Sequence, residues 1–201
     1  MATAHTIPAG THGRYLVEPG PPERLLVGFH GYGQNAEVNL AAMLRIPGVK
    51  DWTVVAVQGL HRFYMYKTGE VVASWMTKQD RELALADNLE YVRSVLAAIP
   101  TPGRLVFLGF SQGAPMAYRA AAANPQAAGV IALGGDLPED VDPAALPPVL
   151  IGRGARDEWY SLEKFEKDLR FLPAATVVEL DAGHEWTEEF SAAAGKFLTV
   201  R

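Results

Sequence analysis

Seven short runs of apolar, largely β-branched residues recur along the chain, near 14–18, 24–30, 53–57, 104–110, 128–133, 148–152 and 175–180. Helical patterns fall between and after them, near 35–44, 80–98, 112–123, 159–172 and 187–199. Alternating strands and helices predict a mostly parallel sheet flanked by helices on both faces. Pro/Gly clusters at 18–22, 100–103 and 143–148 read as turns between elements. No repeat, low-complexity stretch or linker interrupts the pattern, so residues 1–201 are expected to form one domain. With 201 residues, 49% of them hydrophobic, the chain can bury a sizeable core.

The run Leu105 to Phe110 ends in Gly109-Phe110-Ser111-Gln112-Gly113 and passes straight into an Ala-rich helical stretch. Gly-x-Ser-x-Gly between a strand and a helix is the signature of a nucleophile elbow. So sharp a turn forces the serine into a strained backbone conformation, and side chains at the two flanking positions would clash. The strain lifts the Ser111 hydroxyl into the open at the carboxyl end of the sheet. The following helix aims its N-terminal N–H groups at negative charge that develops there.

An activated serine needs a base, an orienting acid and an oxyanion hole. Candidates for each follow a strand. His30-Gly31-Tyr32-Gly33-Gln34-Asn35 follows Arg24–Phe29, and its glycines let the backbone present N–H groups. Asp157 follows the run at 148–152, and His184, the last histidine of the chain, follows Thr176–Leu180. Ser111, Asp157, His184 is the order of α/β-hydrolases and differs from the two protease orders. Asp136 rivals Asp157, because Leu133-Gly134-Gly135-Asp136 also ends a strand. Asp181 is too close to His184 in sequence to orient it, and reads as a turn or cap residue. His30 reads as buried and structural, below the oxyanion loop.

The chain resembles the small α/β-hydrolases of the phospholipase/carboxylesterase group, which includes acyl-protein thioesterases. The resemblance spans roughly Arg24 to Leu198. It is carried by His30-Gly31-Tyr32-Gly33, the Ser74-Trp75 pair, Gly109-Phe110-Ser111-Gln112-Gly113, Asp157 and Gly183-His184. It implies an α/β-hydrolase fold, a triad of Ser111, Asp157 and His184, and oxyanion-hole N–H groups on Tyr32 and Gln112. It also selects Asp157 over Asp136. One departure is Gln34, where many relatives carry Asp after His-Gly-x-Gly. The expected activity is hydrolysis of short- to medium-chain carboxylic esters of small molecules through an acyl-enzyme. Acyl-thioesterase and lysophospholipase activities are the alternatives within the same machinery. A non-catalytic ligand-binding scaffold is the alternative of another class, disfavoured because all three triad members are present.

Charge and composition narrow the partners. A net charge of −5 without a basic tract disfavours nucleic acid and anionic membranes. The absence of cysteine excludes disulfides, zinc thiolates and a cysteine nucleophile. No His-Glu-x-x-His or acidic cluster suggests a metal, and no cofactor is expected. The N-terminal residues carry neither a basic nor an apolar targeting segment, so a cytoplasmic protein is expected. Gly31-Tyr32-Gly33-Gln34-Asn35-Ala36 matches a dinucleotide fingerprint. Its candidate ribose acid, Asp51, precedes the next strand instead of ending it.

Only about fourteen residues, Gly134 to Pro147, separate the strand after the nucleophile helix from the next strand. A helical cap cannot be built from them, so an open groove is expected. The longest unassigned stretch, 58–79, contains Phe63, Tyr64, Met65, Tyr66 and Trp75. It starts on the serine's edge of the sheet and is expected to wall the substrate pocket, with completion of the core through a hairpin near 67–70 as the alternative. Trp159 and Trp186, each two residues past a triad member, are further candidates for the pocket rim.

Overall fold

Strands β1 (Arg14–Glu18), β2 (Arg24–Phe29), β3 (Thr53–Gln58), β6 (Arg104–Phe110), β7 (Ala127–Leu133), β8 (Val149–Gly154) and β9 (Thr176–Leu180) form one sheet in the order β1-β3-β2-β6-β7-β8-β9. They are seen in a computed structural model that describes residues 2–100 and 102–200. All neighbours pair in parallel except β1, which caps the β3 edge antiparallel. The central strands are buried nearly throughout, which explains their continuous apolar runs. The seven strands and five helices fall where the pattern predicts, with ends shifted by a few residues.

Period-two alternation along each strand feeds two cores. Leu25, Val27, Val55, Phe107 and Val130 point toward α2 (Arg81–Ala97), α3 (Gly113–Ala122) and α4 (Leu162–Phe171). Leu26, Val54, Val106, Leu108 and Ile131 point toward α1 (Ala36–Met43) and α5 (Glu188–Thr199). The sheet is thus covered on both faces. β2 sits between β3 and β6, so the chain changes direction across the sheet between β2 and β6. Crevices at the carboxyl ends of such neighbouring strands are where open α/β sheets bind ligands. The loop after β2 and the turn after β6 both open there.

No cap built from the described residues covers that edge. Among the described residues, the segment after β7 contains only a 3-10 turn, Pro143–Ala145. It is tied down by the Arg119 guanidinium on α3, which donates twice to Asp140 at 2.7 and 2.6 Å. No helix among the described residues is long and apolar enough to cross a membrane. Asp51 lies in a 3-10 turn ahead of β3, away from the crevice.

Residues 61–74 form the hairpin that was the alternative for the aromatic stretch, β4 (His61–Tyr64) paired antiparallel with β5 (Val71–Ser74). Trp75, expected in a pocket wall, is fully buried. Its Nε1–H donates to His30 O at 2.8 Å, and its ring packs edge-on against Phe29 with centroids 5.4 Å apart. The correction has a simple cause: an indole N–H needs a buried acceptor, and the end of β2 supplies one. Trp75→Ala should therefore lose about 3–5 kcal/mol of stability, a Tm drop of roughly 6–20 °C. An unchanged Tm in thermal denaturation, with altered substrate preference, would return Trp75 to the pocket.

Candidate active site

The turn after β6 places Ser111 at φ 53°, in the left-handed region. For a non-glycine residue this costs on the order of 1–3 kcal/mol, offset by the surrounding packing. Its N–H is anchored to Leu133 O at 2.8 Å. The flanking glycines are required by contact. A Cβ on Gly109 would meet Gly113 O at 2.1 Å, and one on Gly113 would meet Phe29 O at 2.1 Å. Strand β6, helix α3 and the end of β2 are pressed together at this point.

Ser111 Oγ lies 2.7 Å from His184 Nε2, and His184 Nδ1 lies 2.7 Å from Asp157 Oδ2. A carboxylate only accepts, so Nδ1 carries the ring proton and Nε2 accepts from the serine hydroxyl. Asp157 is 4% exposed. Its other oxygen accepts the backbone N–H groups of Trp159 and Tyr160, each at 2.9 Å. Three donors thus compensate a buried charge, as burial of a carboxylate demands. The Phe110 ring, 5.1 Å from the imidazole, packs against it. Asp136 makes no hydrogen bond or ion pair with His184 among the described residues. Asp181 pairs with Arg156 on the surface.

The loop after β2 is held by three groups. Gly31 N–H donates to Gln34 Oε1 at 2.9 Å, so the amide oxygen does what a carboxylate would do there. Gly33 N–H donates to Ala73 O at 3.0 Å, and Ala73 N–H to Gln34 O at 2.8 Å. The hairpin thus extends the loop by a short backbone ladder. His30, fully buried, receives Gly59 N–H on Nε2 at 3.0 Å and lies 2.7 Å from Gly31 O through Nδ1. Burial lowers its pKa, which fits a neutral, structural imidazole. On the elbow, the Gln112 carboxamide accepts Trp75 N–H at 3.0 Å and donates to Met76 O at 2.9 Å. Among the described residues, the backbone N–H groups of Tyr32 and Gln112 have no protein acceptor.

The remaining sequence candidates scatter. Tyr64, Tyr66 and Trp159 are 75%, 99% and 75% exposed. The Phe63 ring packs on Tyr32 at 5.6 Å, and Met65 reaches the Gly33 backbone. Of the aromatics expected at the pocket, only Trp186 lines the groove beside His184. That groove has a volume of about 530 Å³ and runs between His184, Phe110 and Trp186 on one side and α1 on the other. Its wall of Val38, Ala41, Ala42 and Arg45 was missed. The i, i+3, i+4, i+7 spacing was the available signal, but it reads equally as a helix face packed on a core.

A mostly parallel sheet of this topology, with a strained serine after its central strand, defines an α/β-hydrolase. The chain belongs to the phospholipase/carboxylesterase family, whose model matches residues 16–146. That match includes Ser111 and the loop after β2 but stops before Asp157 and His184. A search of curated proteins found no match. Among solved structures, esterase PE8 is similar at 22% identity and a TM-score of 0.75, over 94% of this chain and 99% of that one. Acyl-protein thioesterase 2 of Zea mays is similar at 19% identity and 0.75, over the same shares. The carboxylesterase of Bacillus cereus follows at 18% and 0.71, over 94% of each chain. Identities this low speak for the fold.

Gly113→Ala should collapse this geometry, because its methyl would strike backbone atoms that cannot rotate away. A loss of about 2–3 kcal/mol or more is expected, typical of severe overpacking. Urea denaturation reads it, and a wild-type midpoint would mean that β2 and α3 are not in contact.

Proposed function

We propose that the protein is a serine carboxylesterase acting on small-molecule esters. The observation that carries this reading is the unbroken chain from Ser111 Oγ through His184 to Asp157, with both steps at 2.7 Å. His184 Nε2 takes the hydroxyl proton as Ser111 attacks the acyl carbonyl. The imidazolium that forms faces the buried Asp157 carboxylate, where low dielectric strengthens the pair. The Tyr32 and Gln112 N–H groups receive the oxyanion, with the N-terminus of α3 behind the second donor. His184 returns the proton to the departing oxygen, and the ester C–O bond breaks. Water, activated by the same imidazole, then releases the acid from Ser111.

The uncapped edge suits small, freely diffusing esters of short to medium chain. The residues around Ser111 supply nucleophile, base, acid and backbone donors without calling on a metal or cofactor. As one folding unit, residues 1–201 bring every part of the site from loops of a single sheet.

Hydrolysis of p-nitrophenyl esters by three variants tests the assignment. Ser111→Ala should lower kcat by about 10⁶. Asp157→Asn should lower it on the order of 10⁴, because the amide favours the wrong imidazole tautomer. Asp136→Asn should stay within a few fold of wild type. Equal losses at Asp136 and Asp157, or retained turnover in Ser111→Ala, would refute the triad.

A further inference from the structure

The groove beside His184 has a chemical polarity that narrows the substrate. One wall is the stripe Val38, Ala41, Ala42, Arg45 on and just beyond α1, and the other is Phe110, His184 and Trp186. Val38 is 49% exposed, although it faces the groove as an apolar side chain. Helix α1 begins directly after the loop that follows β2, so its N-terminal end lies at the Ser111 edge and Arg45 lies at the far end. From Val38 to Arg45 the groove follows the helix for about 10 Å, at roughly 1.5 Å per residue. Its volume of about 530 Å³ lies in the range of small-ligand sites.

The two charged groups of the groove sit in distinct places. Glu185, adjacent to His184 in sequence, is held there by Gly183 N–H, which donates to its Oε1 at 3.3 Å. Arg45 closes α1 through its backbone N–H to Ala42 O at 3.2 Å. Among the described residues, the Arg45 guanidinium has no ion-pair or side-chain hydrogen-bond partner. The groove thus carries a negative charge on the residue that follows His184 and an unpaired positive one just past the C-terminal end of α1, so an anion is favoured at the Arg45 end. A guanidinium presents a planar fork that matches carboxylate and phosphate oxygens.

We propose that this groove takes the leaving-group half of the substrate, an alcohol or thiol with an apolar segment that ends in a carboxylate or phosphate paired with Arg45. The inference rests on the esterase reading above. His184 lines the groove and must deliver its proton to the departing oxygen or sulfur, so the leaving group lies on this side. The ester bond breaks, that atom takes the proton from Nε2, and water supplies the hydroxyl that ends on the acyl carbon. The apolar segment covers Val38, Ala42 and Trp186, and the terminal anion reaches the unpaired guanidinium.

Competition within a matched ester set decides the point. The probes are 6-acetoxyhexanoate, 6-acetoxyhexyl phosphate, neutral 6-acetoxyhexanamide, acetoxyacetate and monomethyl adipate, with p-nitrophenyl acetate as the reference ester. For wild type, kcat/KM for at least one of the two long anionic acetates should exceed that for the amide by about three- to fivefold, the range of a solvent-exposed ion pair. The preferred anion distinguishes carboxylate from phosphate recognition. The preference should fall to unity in Arg45→Gln, persist in part in Arg45→Lys, and shrink toward unity near 1 M salt, where the screening length is about 3 Å. Acetoxyacetate should be disfavoured, and Glu185→Gln should relieve that.

Hydrolysis of p-nitrophenyl acetate without any anion preference, or with one that survives Arg45→Gln, would overturn this inference and leave the esterase reading standing. A preference for monomethyl adipate instead would place the acyl half in the groove and overturn it likewise. No hydrolysis of p-nitrophenyl acetate at all would overturn the esterase reading itself.

Discussion

The approach of Gly113 to the carbonyl groups at the end of β2 is the contact on which the site depends. A Cβ in place of the Gly113 hydrogen would lie 2.1 Å from Phe29 O and 2.7 Å from His30 O. Because β2, β6 and α3 meet there, the serine turn and the loop after β2 cannot move independently. The left-handed backbone of Ser111 is affordable for the same reason: β6, the Leu133 carbonyl and α3 leave that residue no other path. In the proposed mechanism, backbone donors that this packing holds still would cost little reorganisation when charge develops.

Around that contact, buried polar groups act as fasteners. The Gln112 side chain binds the elbow to residues 75 and 76, and Trp75 binds the same segment to His30 O. On the other side, Asp157 gathers the start of the β8–α4 loop onto its own carboxylate. Tyr160 from that loop donates its hydroxyl to Asp168, a buried α4 carboxylate at 2.8 Å that also receives Leu137 N–H at 2.9 Å. Burial raises the pKa of Asp168. These bonds join the loops after β7 and β8, the two that contend for the acid. They place one beside the imidazole and leave the other to support it.

The sequence made the elbow legible because its demands are local: a strand, a turn and a helix within ten residues, with glycines where the backbone crowds. The parallel sheet was legible for a similar reason, since strands buried on both faces must be apolar throughout. The acid was less so. Asp136 and Asp157 both follow strands, and only the family resemblance separated them before the loop geometry did. Trp75 misled because aromatic density near a site reads as a pocket, while the partner of its N–H lies at His30, far away in sequence. The groove wall on α1 was illegible because small and mixed residues at helical spacing carry no mark of which face is covered. That question is settled by where α5 and the His184 loop pack, and no local pattern records it.

The central claim is that Ser111 is a nucleophile made reactive by His184 and Asp157. Incubation of the full chain with a fluorophosphonate, followed by peptide mass spectrometry, tests it most directly. The account predicts a single adduct per chain on the peptide that contains Ser111, formed together with loss of esterase activity. An unlabelled Ser111 in folded protein, or an adduct on another serine such as Ser74 that accompanies inactivation, would contradict it.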